Sequence, residues 1–246
     1  MNILAITQAR YSSSRLPGKV LKPLGTATVL DLHLKRIKRS KLINQFVVAT
    51  TNEAESVEIE LIAKKNQFNC FHGSLDDVLD RFYQAAKKFQ PDYVLRLTSD
   101  CPLIDSFYID DLINKFLEKK VDYASNCLKP TLPDGMDAEI FTFLSLETAW
   151  KEAKKKSERE HVTPFIRDCG KFKIESVEYP FDFGKFRLTL DTVEDYDLLL
   201  KIVQKVGEDA TMKDYVHCLI KNPEWLKLNS KYERNEGLKK SLQEDT

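Results

Sequence analysis

Short apolar runs of β type alternate with longer amphipathic ones through the first half of the chain. That alternation constrains the fold more than any other feature. Strands are predicted at residues 3–6, 46–50, 93–97 and 122–124, each mostly apolar and bounded by polar residues. Between them the apolar positions take helical spacing: Ile109, Leu112, Ile113, Phe116 and Leu117 recur at i, i+3, i+4, i+7 and i+8 and make one face. Asn52 with Glu55, and Ser74 with Asp77, have the spacing of helix N-terminal boxes. Strand then helix, repeated, requires crossover connections, so the strands run parallel and helices cover both faces of one α/β sheet. A chain of 246 residues with 42% hydrophobic and 10% aromatic content can bury such a core.

After residue 125 the rhythm loosens. Pro130, Pro133 and Gly135 break the chain. A strand is expected at 140–143, helices near 144–156 and 158–169, and a second strand pair at 174–179 and 187–190. Tyr196, Leu199, Leu200 and Val203 mark another amphipathic helix. The expected architecture is one α/β domain over residues 1–222, with a mixed, mostly parallel sheet flanked by helices and a small β-containing insertion at 125–185. Residues 223–246 are charged and poor in apolar side chains, and are read as a surface arm, solvated or turned toward a second subunit. Ligands of open α/β sheets bind outside the carboxyl ends of the strands, so the loops after residues 6, 50 and 97 carry the functional weight.

The segment after the first strand places Arg10, Arg15 and Lys19, the hydroxyls of Ser12, Ser13 and Ser14, and Gly18 on one turn at that edge. A polyphosphate needs such a place, where backbone N–H groups, hydroxyls and guanidinium forks meet its oxygens together. The turn is not a P-loop, because Lys19 is followed by Val20, and it holds no G-x-G-x-x-G. Two aspartates follow strand-like segments: Asp100 after 93–97 and Asp191 after 187–190. A carboxylate across the edge from a phosphate loop suits Mg²⁺. The alternative for Asp100 is a helix N-cap, although Asp105, followed by Ser106 and a helix, is the better capping residue. Thr192 and Asp195 have capping-box spacing and account for helix initiation, which leaves Asp191 over.

The run from Ala9 through Arg10, Ser13, Arg15 and Gly18 to Lys19 resembles the nucleotide-binding loop of the CMP-sugar synthetases, above all 3-deoxy-manno-octulosonate cytidylyltransferase. The whole chain is still more similar to the spore-coat-polysaccharide type of cytidylyltransferase, a relative of the acylneuraminate enzymes. The resemblance implies a nucleotide-diphospho-sugar transferase-like fold whose first loop wraps the CTP triphosphate, with Arg10, Ser13, Arg15 and Lys19 on phosphates. It implies Mg²⁺ on Asp100 and Asp191, the latter in a D-T-x-E-D context. The segment from Phe71 to Leu79 resembles the nucleoside-side loop and adds Gly73, Ser74 and Asp76, which are also ordinary helix-start residues; Thr51 borders the base and Ser99 joins the nucleotide site. Residues 133–139 resemble the acceptor side, giving Asp134, Asp137 and Glu139, and read as readily as a solvated acidic turn. His161 either faces the acceptor or is structural. A homodimer through the insertion is implied by the resemblance alone.

The expected activity is therefore Mg²⁺-dependent CMP transfer from CTP to a small sugar-like or phosphorylated acceptor, with release of pyrophosphate, for surface-glycan biosynthesis. Arg15, Lys19, Asp100 and Asp191 form the catalytic set, and no general base stands out. A nucleotide-sugar glycosyltransferase would carry D-x-D after a strand, where this chain has Ser99-Asp100-Cys101-Pro102. A non-catalytic nucleotide-binding module would not need both acidic stations and the full cationic loop. His33 and His217 lie in amphipathic helices and receive no chemistry. If Asp100 and Asp191 repel one another, neutralising either leaves stability unchanged or raises it.

The remaining composition bounds partners and compartment. No apolar run approaches the roughly 20 residues that span a bilayer, so a soluble, cytoplasmic protein is expected. Five cysteines at least 26 residues apart suggest reduced thiols and no zinc site. Thirty-eight basic residues balance thirty-eight acidic ones, so any anion site is local and no nucleic-acid partner is expected. A random DNA duplex at physiological salt should accordingly bind no tighter than micromolar. Submicromolar binding in a fluorescence-anisotropy titration would overturn that class assignment.

Overall fold

The computed structural model describes residues 1–245. In chain order it forms β1 (Ile3–Gln8), β2 (Pro23–Leu24), β3 (Ala27–Thr28), α1 (Val29–Ile37), β4 (Gln45–Thr51), α2 (Ser56–Lys65), β5 (Asn69–Gly73), α3 (Val78–Phe89), β6 (Tyr93–Thr98) and α4 (Ser106–Lys119). There follow β7 (Tyr123–Ser125), β8 (Glu139–Thr142), α5 (Phe143–Glu152), α6 (Lys156–His161), α7 (Pro164–Asp168), β9 (Ile174–Ser176), α8 (Val193–Val206), α9 (Met212–Lys221) and α10 (Glu236–Gln243). One sheet of seven strands runs in the order β5-β4-β1-β6-β8-β7-β9. β5, β4, β1 and β6 pair in parallel; β8 is antiparallel to both β6 and β7; β9 is parallel to β7. Only β8 opposes the common direction, so the sheet is mixed and mostly parallel.

Alternation along β1 shows why helices cover both faces. Ile3 and Ala5 point to one side, against Leu30, Leu34 and Ile37 of α1, Ile59 and Ala63 of α2, and Ile109 and Leu112 of α4. Leu4 and Ile6 point to the other, against Val78, Leu79 and Phe82 of α3 and Leu146 and Ala149 of α5. A third cluster gathers Leu198, Leu199 and Ile202 of α8 and Tyr215 and Leu219 of α9 around Leu188, Leu190 and Met136. The helices start as their sequences dictate: Asp77, Asp105, Thr192 and Thr211 each accept a backbone N–H from their own first turn. Among the described residues no helix is long and apolar enough to cross a membrane.

Several expectations are corrected here. Asn52 and Glu55 make no N-terminal box, and the residue before α2 offers no capping side chain. The helix expected at 158–169 is two short ones, α6 and α7, parted by Val162 at φ 70. The strand at 174–179 ends at Ser176. Residues 187–190 form no ladder; a single bridge joins Arg187 to Asp134. The segment is extended because other groups grip it: Leu188 N donates to the Asp134 carbonyl at 2.6 Å and Leu190 N to the Asp100 carbonyl at 2.8 Å. Within residues 125–185, β8 and β9 join the main sheet. The expected surface arm folds back onto the domain, burying Asn229 and Ser241.

The close approach of residues 187–190 to the 133–137 turn depends on Gly135. Its φ is +104°, and an added Cβ would lie 2.6 Å from the Leu188 carbonyl carbon and 2.7 Å from Thr189 N. Gly135→Ala should cost about 3 kcal/mol in urea unfolding, because backbone rather than a movable side chain is in the way. An unchanged midpoint would refute that packing.

Candidate active site

The parallel strands end along one edge, in an order set by the sheet. Thr51 pairs with Gly73, Gln8 is in register with both Ala49 and Thr98, and Arg96 is opposite Glu139. From β5 to β8 the edge therefore carries the nucleoside-side candidates, then the loop after β1 beside Asp100, then the acceptor-side candidates. The loop after β1 closes on itself, with Gly18 N donating to the Tyr11 carbonyl at 2.9 Å. Gly18 takes a left-handed φ of 67°, which starts a short 3-10 turn, Lys19–Leu21.

Lys19 joins the two acidic stations. Its Nζ donates to Asp100 Oδ2 at 3.0 Å, to Asp191 Oδ1 at 2.8 Å and to the Leu190 carbonyl at 2.8 Å. All three ammonium protons are thus engaged, on a side chain only 12% exposed. Burial alone would lower the Lys19 pKa, but the Asp100 and Asp191 carboxylates outweigh it and raise the group above its ordinary value. Burial likewise disfavours ionised Asp100, yet Lys19 and the Thr98 hydroxyl hold its pKa down at about 2. The repulsion expected between Asp100 and Asp191 is offset by the ammonium that lies between them. Arg15 adds a second contact, with Nη2 2.9 Å from Asp191 Oδ2 and Nη1 donating to Glu236 Oε2 at 3.0 Å.

Arg187 extends the alternation of charge. It forks onto Asp195 at 2.9 and 3.0 Å, reaches Asp134 Oδ2 at 2.8 Å and touches Asp191 Oδ2 at 3.2 Å. Asn229 of the arm donates to Asp195 Oδ1 at 2.9 Å. Farther along, Arg234 pairs with Asp137 and donates to the Leu132 carbonyl at 3.1 Å, while Ser241 meets His161 Nε2 at 3.0 Å and Glu160 at 2.8 Å. The arm therefore lies across the phosphate loop and the acceptor side. Burial and the neighbouring Asp137 push the Asp134 carboxyl up, against Arg187 and Arg234.

The structure gathers Arg15, Lys19, Asp100, Asp191 and Asp134 into one network. Arg10 is exposed and Ser13 half-buried on the same loop. Ser99 is buried, with its N–H on the Gln8 carbonyl at 3.2 Å. Ser74 and Asp76 are exposed at the start of α3, where Ser74 Oγ accepts from Asp77 N at 3.0 Å. Gly73 lies against Arg81, whose side chain fills the space a Cβ would need. Two candidates are turned inward. Thr51 is fully buried, its hydroxyl donating to Glu53 at 2.6 Å and meeting Ser56 at 3.1 Å, so it braces the edge. Glu139 is buried and bonded to Arg96, Tyr123 Oη at 2.5 Å and Thr163 Oγ1 at 2.7 Å.

Arg187, Asn229, Arg234 and Glu236 were not singled out by sequence reasoning, and His33 was given no chemistry. The arm residues lie in a tract without apolar periodicity. Arg187 stands four residues before Asp191 and eight before Asp195, a spacing that carries no meaning in a strand reading.

Comparison with known proteins places this geometry among relatives. A family model described as cytidylyltransferase matches residues 4–240. The spore coat polysaccharide biosynthesis protein SpsF of Bacillus subtilis is 33% identical over 233 residues, covering 91% of this chain and 96% of that one. A solved cytidylyltransferase from Leptospira borgpetersenii superposes with a TM-score of 0.87 at 38% identity, covering 92% of this chain and 97% of that one. The CMP:2-keto-3-deoxy-manno-octonic acid synthetase solved with CTP shares the fold, with a TM-score of 0.66 at 13% identity over 83% of this chain and 99% of that one.

Lys19 also holds the domain together, so it is not the freely replaceable loop residue that its sequence position suggests. Lys19→Met leaves Asp100 and Asp191 facing each other without their shared cation, at a cost of about 2 kcal/mol. The Tm at neutral pH should fall by roughly 5 °C. A Tm equal to or above the parent's would show that the ammonium contributes nothing to the fold.

Proposed function

The chain belongs to the cytidylyltransferase family, and from that premise we propose that it transfers CMP from CTP to a sugar-like acceptor bearing an acidic or phosphorylated group, releasing pyrophosphate. The observation that carries the reading is the convergence of Asp100 and Asp191 on the Lys19 ammonium, with Arg15 of the same loop also on Asp191. Nucleoside, triphosphate and acceptor then lie in succession along the sheet edge.

The two aspartates fit Mg²⁺. Each directs a carboxylate oxygen at Lys19 Nζ, at 3.0 and 2.8 Å, so an ion would share the two carboxylates as the ammonium turns to a phosphate oxygen. Among the described residues no cluster of three or more His, Cys, Asp or Glu gathers, and Mg²⁺ needs only one or two protein carboxylates beside water and phosphate oxygens. When bound, the ion supplies charge that offsets the phosphates. The acceptor oxygen attacks the α-phosphorus in line as pyrophosphate leaves, and the chain aligns the reactants and neutralises developing charge. Lys19 reaches a phosphate oxygen only by surrendering one of its three present partners. Arg15 does so by releasing Glu236. These exchanges keep both cations in place before nucleotide arrives. Asp137 and His161, behind the arm, line the acceptor end of this reading. Homodimeric assembly, a cytoplasmic setting and a role in surface-glycan biosynthesis belong to the same proposal and rest on the family resemblance.

A nucleotide-by-acceptor screen for pyrophosphate tests it. CTP with an acidic or phosphorylated sugar, and Mg²⁺, should give turnover, and Asp100→Asn or Asp191→Asn should lower it at least about 100-fold. Both variants should also melt below the parent, because each removes a partner of Lys19. No pyrophosphate from CTP with any acceptor, or full activity in both variants, would defeat the proposal.

A further inference from the structure

Helix α1 grips the turn that carries Asp100. The turn runs from Thr98 to Ile104, with Cys101 N on the Thr98 carbonyl at 3.2 Å and Ile104 N on the Cys101 carbonyl at 3.3 Å. From the solvent side, Leu190 N and Thr189 Oγ1 donate to the Asp100 carbonyl at 2.8 and 3.3 Å. From the core side, His33 Nδ1 meets the Cys101 carbonyl at 2.9 Å, and Arg36, on the next turn of α1, donates its Nε–H to the Ile104 carbonyl at 2.7 Å. The other ring nitrogen, His33 Nε2, is 3.1 Å from Thr7 Oγ1 on β1.

These contacts decide the tautomer. A carbonyl only accepts, so Nδ1 carries the proton, and Nε2 accepts from the Thr7 hydroxyl. His33 is fully buried, and burial, against the pull of the Cys101 carbonyl and Asp100, holds its pKa down at about 4, so the ring is neutral. An apolar side chain of the same size would leave the Thr7 hydroxyl without this partner and remove one of the two donors on the Cys101 carbonyl. The ring thus links the strand that leads into the phosphate loop to the Cys101–Pro102 peptide, one residue beyond Asp100.

We propose that His33 is a positioning residue for Asp100, fixing the 98–104 turn through the Cys101 carbonyl so that the carboxylate faces Lys19 and the phosphate loop. This rests on the role given to Asp100 under the proposed function. A space-filling role would make no distinction between the two ring nitrogens. Positioning through Cys101 does.

Asparagine places its Nδ2 where the imidazole Nδ1 stands, and glutamine reaches the Nε2 position instead. His33→Asn therefore keeps the donor to Cys101, whereas His33→Gln keeps only the partner of Thr7 and His33→Leu keeps neither. Hydrogen exchange read at the Ile104 amide in the nucleotide-free protein should stay within about threefold of the parent in His33→Asn, and quicken at least tenfold in the other two. Turnover with CTP, Mg²⁺ and the acceptor found in the pyrophosphate screen should follow the same order. kcat should fall at least about thirtyfold in His33→Gln and His33→Leu, and no more than about fivefold in His33→Asn, while KM for CTP moves less than threefold. Tm values for all three separate this pattern from simple loss of folded protein. Equal exchange at Ile104 in the Asn and Gln variants, or activity that tracks Tm alone, overturns the positioning role. If the parent itself releases no pyrophosphate, the proposed function fails, and with it the purpose assigned to the turn, whatever the exchange rates show.

Discussion

One ammonium group holds the edge of this sheet together. Lys19 joins a loop near the start of the chain to Asp100 and to Asp191, partners 81 and 172 positions away. Around it charges alternate, through Arg15, Asp191, Arg187, Asp195 and Asp134. Such a network is stable only as a whole, because every member removed leaves a neighbour with unmatched charge in a partly desolvated place. Gly18, the extended segment 187–190 and the Asp100 turn all have conformations that make sense as ways of bringing their groups to that ammonium.

The central sheet was legible because its physics is local. Ile3, Leu4, Ala5 and Ile6 are buried on both faces, so they read as a continuous apolar run; residues 46–49 do nearly the same, and in 93–97 only Arg96 interrupts it. β5 was missed as a strand because it lies at the sheet edge, leaves Asn69 exposed and only partly buries Cys70 and His72, which leaves no apolar signature. Residues 187–190 misled in the opposite sense. Leu188 and Leu190 alternate as strand residues do, but the burial they satisfy is against α8 and α9, and their hydrogen bonds go to turns.

The candidate site divides in the same way. Cations clustered on one turn, and an aspartate following a strand, are visible because their neighbours in sequence give them meaning. The families resembled by the loop supplied the rest, and the match over residues 4–240 agrees with that identification. Arg187, Arg234, Glu236 and His33 acquire meaning only from partners far along the chain, so no window of sequence reveals them. Thr51 and Glu139 show the converse: chemically suitable residues at the right edge, already consumed by Glu53 and Ser56 and by Arg96, Tyr123 and Thr163.

The returning arm has a consequence for how the molecule reaches its native state. Arg15 and Glu236 meet across 221 positions, and Lys19 and Asp191 across 172. Contacts of that separation close very large loops, and they form only after nearer contacts have drawn the chain together. A chain with only β1, β4, β5 and β6 paired would own four of the seven strands and no assembled site. There Lys19 and Arg15 would both lack Asp191, and Arg15 would lack Glu236 as well. Docking of the last helix is then the step at which a folded sheet becomes a selective one.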